Sequence, residues 1–177
     1  MIKYKFSDKI SYKEHLFDFI LLYEKTFSTG ISAQYIDRTE TENFFNQIFE
    51  IGFCISAFDE ERLAAFLLYT PPSFDNFIQH EIYREFNDKN SIYIAEVLVD
   101  EQFRGQKIAQ NLMKELENSL NKDIKNLILR VYDQNIPAIA LYEKAGFKKI
   151  FTIFQRKLRP DKKTEFIMKK NYMLKIL

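Results

Sequence analysis

The chain has 177 residues, of which 46% are apolar and 29% are charged, and its formal net charge is +1. This length and balance are typical of one globular domain with a sizeable core, and the near-zero charge argues against a protein that binds nucleic acid through its overall field. No apolar run approaches the roughly 18 residues that a membrane-spanning helix needs, so no membrane partner is expected. The lone cysteine, Cys54, is predicted to be a small core residue, and with no recognisable signal peptide it indicates a reducing, cytoplasmic setting.

The first part of the chain predicts a strand followed by two helices. Residues 2–6 alternate apolar and basic side chains as a strand does, and residues 12–27 carry apolar side chains at helical spacing. A second helix is predicted to start at Thr39, because Thr39 and Glu42 have the spacing of a capping box. It is predicted to end at Gly52.

A hairpin and an insertion follow. Residues 53–58 and 63–69 are predicted to form two antiparallel strands around an acidic turn. The stretch 71–90 opens on two prolines and mixes aromatic with charged side chains. An insertion of this kind is often a lid or a binding loop, but the composition also fits a short surface helix. The sequence leaves both interpretations open.

The second half predicts a strand–helix–strand unit. Residues 92–99 form an apolar strand, residues 107–120 an amphipathic helix, and residues 126–132 a second apolar strand. A right-handed crossover of this kind places the two strands parallel to each other in one sheet.

The remaining residues predict one more helix and two strands. The helix has Pro137 in its first turn and Gly146 as its C-terminal cap. Strands over 147–158 and 165–174 complete the chain. The predicted fold class is therefore α+β with a mixed sheet, as a single domain over residues 1–177.

Two features of the central unit indicate chemistry. Arg104 and Gly105 stand between the strand and the helix, and the free amides and dipole of a helix start attract phosphate. Glu96 is the ionisable residue of an otherwise apolar strand, and desolvation there would raise its pKa toward a value useful to a general base. The alternative is a buried glutamate paired with Arg130 or Lys125. Strict alternation predicts one face with Ile94, Glu96 and Leu98, and an opposite face with Ala95, Val97 and Val99.

Two motifs resemble the signatures of the GNAT superfamily, the acyl-CoA-dependent N-acyltransferases. The first resembles Arg/Gln-x-x-Gly-x-Gly/Ala after a strand end, and here it comprises Val97, Leu98, Val99, Arg104, Gly105, Gln106, Lys107, Ile108 and Ala109. In this register Lys107 replaces the middle glycine. A register that starts at Gln102 recovers that glycine at Gly105 but puts Lys107 at the last position, so either register has one departure. The second is matched without a gap by Asn135, Ala138, Leu141, Tyr142, Lys144, Gly146 and Phe147.

The resemblance implies a fold and a coenzyme site. The fold is a single three-layer α/β/α-like domain whose mixed, mostly antiparallel sheet splays at a parallel central strand pair. Acetyl-CoA, as cosubstrate, would enter the gap along Val97 and Val99, with the main-chain N–H near Leu98 facing the oxyanion. Its remaining contacts would come from the loop 104–109 and from the second motif, here Asn135, Ala138, Tyr142 and Lys144.

The resemblance also implies a reaction. An acetyl group would pass to a primary amine by direct attack in a ternary complex without a metal, with Glu96 as base and Tyr142 as acid. A small-molecule amine is favoured, because the aromatic insertion would close a pocket around it. The alternatives are a protein N-terminus or lysine, and a non-catalytic acyl-CoA-binding module. The lysine-rich C-terminal strands are interpreted as a solvated face rather than a nucleic-acid site, and a homodimer through them is an expectation of the resemblance alone.

Overall fold

The sheet is built from the apolar and alternating segments of the chain. The computed structural model describes residues 1–8 and 10–177. Within those residues the strands are β1 (Ile2–Ser7), β2 (Phe53–Asp59), β3 (Arg62–Thr70), β4 (Ser91–Val99), β5 (Asn126–Tyr132), β6 (Lys148–Leu158) and β7 (Glu165–Ile176). The α-helices are α1 (Leu16–Phe27), α2 (Arg38–Ile51), α3 (His80–Glu85), α4 (Ile108–Ser119) and α5 (Ile136–Lys144).

Helices cover both faces of one mixed sheet. The strand order over the described residues is β1-β2-β3-β4-β5-β7-β6, and β4–β5 is its parallel pair. Side chains of α4 and α5 pack with one face in a large apolar cluster, and those of α1 and α2 pack with the other face in a second cluster. The predicted three-layer architecture, the β2–β3 hairpin and the parallel β4–β5 pair are therefore confirmed.

Two predicted helix starts are wrong. The first helix begins with a 3₁₀ turn, Ser11–His15, and becomes α-helical only in α1. The second is capped by Asp37 rather than Thr39: the Asp37 carboxylate accepts the Glu40 amide at 3.0 Å. Aspartate caps a helix at least as well as threonine, so the capping-box spacing was a weaker signal than the acidic residue before it.

The two parallel strands separate halfway along β4. Their pairing begins at Ser91 with Asn126 and ends at Ile94 with Leu129. Beyond that point β4 stays bonded to β3, while β5 stays bonded to β7 through Tyr132. The second half of β4 therefore has no strand partner on its β5 side within the described residues, which opens a gap in the middle of the sheet.

A β-bulge at Ala95 coincides with this separation. Glu96 pairs with Leu68 and Ile94 pairs with Tyr69, so Ala95 is the extra residue. A bulge reverses the alternation of side chains. Ile94 accordingly packs on the α4 side and Ala95 on the α1–α2 side, so the faces predicted for these two residues were wrong.

A buried ion pair fixes the insertion to the sheet. Asp75, 3% exposed, accepts the Tyr172 hydroxyl at 2.5 Å and lies 3.3 Å from Arg130 Nε. Arg130 Nε also donates to the Tyr93 hydroxyl at 2.8 Å. The insertion contains a short surface helix, α3, as one interpretation expected, and its Ile78 and Phe86 pack against the sheet. Its role as a lid or binding loop stays a prediction.

We expect Asp75→Asn to destabilise the protein by about 3 kcal/mol, because it leaves the buried Arg130 charge without its counter-ion. Urea unfolding followed by circular dichroism measures the change. Asp88→Asn is the matched control, since Asp88 accepts an exposed amide of the same insertion, from Ser73, at 2.9 Å. It should change stability by less than about 0.5 kcal/mol. Equal losses in the two variants would contradict the role given to the ion pair.

Candidate active site

A cleft of about 480 Å³ lies on the α1–α2 side of the sheet, next to the point where β4 leaves β5. Glu96 of β4 and Arg130 of β5 form part of its floor. Its walls are aromatic, with Phe44 from α2 and Phe74 and Phe77 from the insertion. Glu96 therefore lies among aromatic side chains, with Asp75 and Arg130 in the same lining.

Glu96 is half-buried and forms no hydrogen bond or ion pair with any residue that the structure describes. Burial raises the pKa of its carboxyl to about 7, against the opposing charges of Lys170, Arg130 and Lys157. The predicted alternative, a pair with Arg130 or Lys125, is not formed, because Arg130 contacts Asp75 and Lys125 is exposed. Glu96 is thus free to exchange a proton near neutral pH.

Tyr142 is held by the end of its own helix. Gly146, at φ 95°, follows α5, and the Phe147 amide donates to the Tyr142 carbonyl at 2.9 Å, while the Gly146 amide donates to Glu143. This is the Schellman pattern with its accompanying side-chain contact, here between the Tyr142 and Phe147 rings at 5.9 Å. The predicted cap at Gly146 is confirmed, and it fixes the direction of the Tyr142 side chain.

Tyr142 and Glu96 lie on opposite faces of the sheet. Tyr142, 8% exposed, packs in the α4–α5 cluster, whereas Glu96 faces the cleft on the α1–α2 side. Burial and the nearby Glu96 charge raise the pKa of the Tyr142 phenol well above its usual value. The two residues predicted to be acid and base are therefore near enough for the charge of one to act on the other, although 46 positions separate them in the chain. Their roles as acid and base stay predictions.

The loop after β4 presents unpaired backbone amides. A 3₁₀ turn, Glu101–Phe103, is capped by Asp100, and residues 104–107 are exposed. Within the described residues, the amides of 105–110 find no acceptor, and α4 has no side-chain cap. Such a loop at a helix N-terminus fits a pyrophosphate.

Lys107 occupies the left-handed region, at φ 61°, and Gly105 does so at φ 78°. Glycine adopts this conformation without strain, whereas another residue pays about 1–2 kcal/mol. This explains physically why the motif calls for glycine at the position of Lys107.

The other residues predicted to bind the coenzyme lie on β4, on α5 and at the start of α4. Asn135 caps α5, its side chain accepting the Ala138 amide at 3.3 Å, and Lys144 is exposed in the last turn of that helix. Ile108 is buried in the core, so its amide rather than its side chain is available to a ligand. Val97 and Val99 lie on the β4 segment that β5 leaves unpaired.

The sequence analysis missed two cations near Glu96. Lys157 and Lys170 are half-buried, and their charges act on Glu96, so interpreting them as part of a solvated face was wrong. Lys162 and Lys163, in contrast, are exposed as expected. The sequence carried only a weak signal for this burial. Lys157 and Lys170 each lie in a strand of alternating side chains, but nothing in the sequence shows which face of that strand is covered by helices.

A bridge of hydrogen bonds joins the α1–α2 connection to the β6–β7 turn. The Tyr35 amide, in the α1–α2 connection, donates to the Leu158 carbonyl at 2.7 Å, and Arg159 Nη1 donates to the Ala33 carbonyl at 3.1 Å. Lys162 Nζ also lies 4.6 Å from the centre of the Tyr35 ring. The β6–β7 turn and the α1–α2 connection therefore meet above the sheet.

Three further observations concern the residues that the structure describes. They contain no group of three or more His, Cys, Asp or Glu side chains placed to hold a metal ion. None of their helices is long and apolar enough to pass through a membrane. Cys54 is buried, and burial raises the pKa of its thiol to about 12.

The fold, the gap between β4 and β5 and the free amides before α4 are those expected of an acyl-coenzyme A-dependent transferase. The sequence profile of the acetyltransferase (GNAT) family matches residues 18–147, and the chain belongs to this family. The predicted membership and enzyme class are therefore confirmed.

The chain is similar to proteins that are named as acetyltransferases. It is 38% identical over 64 residues to N-alpha-acetyltransferase 30 of Dictyostelium discoideum, a match that spans 36% of this chain and only 35% of that protein. Its fold resembles the ribosomal-protein-alanine N-acetyltransferase of Brucella melitensis, with TM-score 0.71, 19% identity and 99% of both chains covered. It also resembles Arabidopsis thaliana NAA60 in complex with acetyl-CoA, with TM-score 0.71 and 16% identity over 100% of this chain and 99% of that one.

We expect Lys107→Gly to raise the melting temperature by about 2–4 °C, corresponding to roughly 1 kcal/mol of relieved backbone strain. Differential scanning calorimetry measures the change in melting temperature. Lys107→Ala is the control, because it removes the same charge but keeps a Cβ in the left-handed region. A stability gain shared by both variants would trace the effect to the charge instead.

Proposed function

We propose that this chain transfers the acetyl group of acetyl-CoA to the primary amine of a small molecule, by direct attack in a ternary complex within one domain. The observation that carries the proposal is the placement of two unpartnered groups on either side of the β4–β5 gap. Glu96 faces the cleft, and Tyr142 faces the opposite side. An amine entering from the cleft meets a thioester lying in the gap.

Glu96 is the proposed general base. An alkylammonium with a pKa of about 10.4 is only about one part in 10³ neutral at pH 7, a penalty of roughly 4–5 kcal/mol. A carboxylate whose pKa is about 7 removes that proton directly or through one water without being fully protonated itself. The apolar walls of the cleft support this role, because they keep the carboxylate desolvated.

The coenzyme site is proposed from the backbone. The free amides of residues 105–110 and the Arg104 side chain would hold the pyrophosphate. The unpaired edge of β4 at Val97 and Val99 would pair with the pantetheine amides, and the Leu98 amide would face the oxyanion. Asn135 and Ala138 would line the channel, and Lys144 would add a cation at its rim.

Tyr142 is the proposed acid. When bound, acetyl-CoA supplies a thioester, and its leaving group is a thiolate whose conjugate thiol has a pKa near 8.5. Because the pKa of Tyr142 is raised, full proton transfer is uphill, and the hydroxyl acts mainly as a hydrogen-bond donor that stabilises the thiolate as it forms.

The amine that accepts the acetyl group is proposed to be a slender molecule. A cleft of about 480 Å³, walled by the insertion, fits a small amine, and the bridge at Tyr35 and Leu158 obstructs a lysine on a folded surface. A peptide N-terminus is the second candidate, since relatives are named for protein N-termini and a chain end is also slender.

A homodimer through the C-terminal strands stays a proposal. β6 is an edge strand of the sheet, and Phe154 and Ile167 are exposed on β6 and β7. Apolar side chains on a free strand edge favour pairing with a second copy.

A thiol-release assay across a panel of amines and short peptides tests the function. We expect acetyl-CoA-dependent release with the wild type, and a loss of about a hundredfold in kcat in Tyr142→Phe. Affinity for acetyl-CoA, measured by calorimetry, should change less than about twofold, because the hydroxyl acts on the leaving group. Tyr83→Phe, on α3 outside the cleft, is the control. An unchanged kcat in Tyr142→Phe would contradict the acid role, and no release with any acceptor would contradict the function.

The pH dependence of kcat tests Glu96. A base must be deprotonated to work, so log kcat should rise with pH below about 7 and level off above it. Glu96→Gln should lose this limb and lower kcat by about a hundredfold or more. Glu81→Gln, on the exposed helix α3, should keep it. A limb near pH 7 that persists in Glu96→Gln would assign the titration to another group.

A further inference from the structure

We propose that Lys157 and Lys170, together with Gln155, form a subsite for a carboxylate carried by the acceptor amine. The inference rests on the proposed acetyl transfer and names the class of amine that the site selects. The acceptor would carry its amine toward Glu96 and its carboxylate toward β6 and β7.

The strand register puts these side chains on the face that looks toward α1 and α2. Ile153 of β6 pairs with Lys170 of β7, so Lys170 shares a face with Gln155 and Lys157, which follow Ile153 at alternate positions. Ile153 itself packs with Tyr172, the partner of Arg130 in β5.

One face of the sheet therefore carries ionisable groups on four successive strands. From β4 to β6 they are Glu96, Arg130, Lys170 and Lys157. At about 4.8 Å per paired strand step, β7 lies at least roughly 10 Å from β4, and farther where β4 leaves β5. An acceptor of several bonds and a lysine side chain can span this distance together.

The charges on this face do not balance. Arg130 is matched by Asp75 at 3.3 Å, which leaves Glu96 as the carboxylate of the sheet against two ammonium groups. Glu40 of α2 acts on Lys157 from the facing layer without forming an ion pair with it. Neither Lys157 nor Lys170 forms an ion pair with any residue that the structure describes. Half-buried ammonium groups without a counter-ion are costly, and a carboxylate from the acceptor would supply one.

The pKa values of the two lysines reflect the same environment. Burial lowers the pKa of Lys170 to about 8, and the Arg130 charge lowers it further while Glu96 opposes the shift. Burial and Arg130 also lower the pKa of Lys157, against Glu96 and Glu40. An anion bound between them would raise both values.

Gln155 is an independent sign of a ligand. It is only 7% exposed, and its Oε1 is buried without a hydrogen-bond partner among the described residues. A buried acceptor left unpaired is uncommon in folded proteins. An N–H group of the acetyl-accepting molecule would donate a hydrogen bond to this oxygen. The subsite therefore offers two cationic hydrogen-bond donors and one hydrogen-bond acceptor.

The bridge limits the length of the acceptor. Leu158, next to Lys157, accepts the Tyr35 amide at 2.7 Å, and Arg159 donates to Ala33 at 3.1 Å. Lys157 thus stands where the α1–α2 connection meets the β6–β7 turn. The class that fits is a short primary amine with a carboxylate a few bonds away, either a free ω- or α-amino acid or a peptide whose second residue is acidic.

Matched pairs of acceptors test this class. We compare kcat/KM for γ-aminobutyrate and its amide, and for the peptides Ala-Glu-Ala-amide and Ala-Gln-Ala-amide, at saturating acetyl-CoA. The carboxylate member should be preferred by at least about tenfold in one or both pairs, as expected for a charge-assisted contact. The first pair reports a small-molecule source and the second a peptide source. A ratio near one in both pairs, with acetylation still measurable, overturns the subsite.

Variants connect the preference to the two lysines. Lys157→Met and Lys170→Met should each bring the acid-to-amide ratio toward one, and Lys157→Arg should retain it. A purely structural effect would lower kcat/KM for both members alike and leave the ratio unchanged. Lys169→Met is the control: Lys169 lies on the same strand but on the other face, 3.3 Å from Asp133. A ratio that survives in both methionine variants contradicts the assignment.

Binding separates this inference from the proposed reaction. Chemical-shift titration of the wild type and of Lys170→Met with γ-aminobutyrate and with its amide needs no turnover. Carboxylate-selective binding that Lys170→Met abolishes, without acetylation of any acceptor, would support the subsite and refute the proposed function. Acetylation without selectivity for the carboxylate in either assay would support the proposed function and refute the subsite.

Discussion

The divergence of β4 from β5 is the constraint on which the rest of this structure depends. Parallel pairing ends at Ile94 and Leu129, and the bulge at Ala95 coincides with the same step. The bulge turns Glu96 toward the cleft, and the loss of pairing leaves an edge of backbone groups with no strand opposite it. One local irregularity therefore provides both the gap proposed to take the coenzyme arm and the orientation of the proposed base.

The buried pair of Asp75 and Arg130 keeps that base free. Arg130 is one of the two cations that the sequence analysis considered as partners of Glu96, and it is instead engaged by the insertion and by Tyr93. A carboxylate paired with arginine would have a lowered pKa and would be a poor base. By taking Arg130, the insertion both walls the cleft and leaves Glu96 desolvated, with its pKa near neutrality.

Local signals predicted much of the fold. Gly146 was recognisable as a cap because only a residue tolerant of positive φ ends a helix in this way, and the Schellman bonds around it fix Tyr142. The helix start at Asp37 was missed because several polar residues near it were competent caps. Alternation failed at Ala95 because a bulge is set by pairing with β3, not by the residues of β4 alone.

By itself, the sequence determined the order of elements, the phosphate-type loop around Arg104 and Gly105, and the candidacy of Glu96 and Tyr142. These depend on periodicity, on glycine's backbone freedom and on motifs whose parts lie close together in the chain. Only the tertiary structure decided that Arg130 belongs to Asp75 and that Lys157 and Lys170 share a face with Glu96. The physical reason is that burial and charge pairing arise between strands brought together by folding, and no local pattern encodes which strands those are.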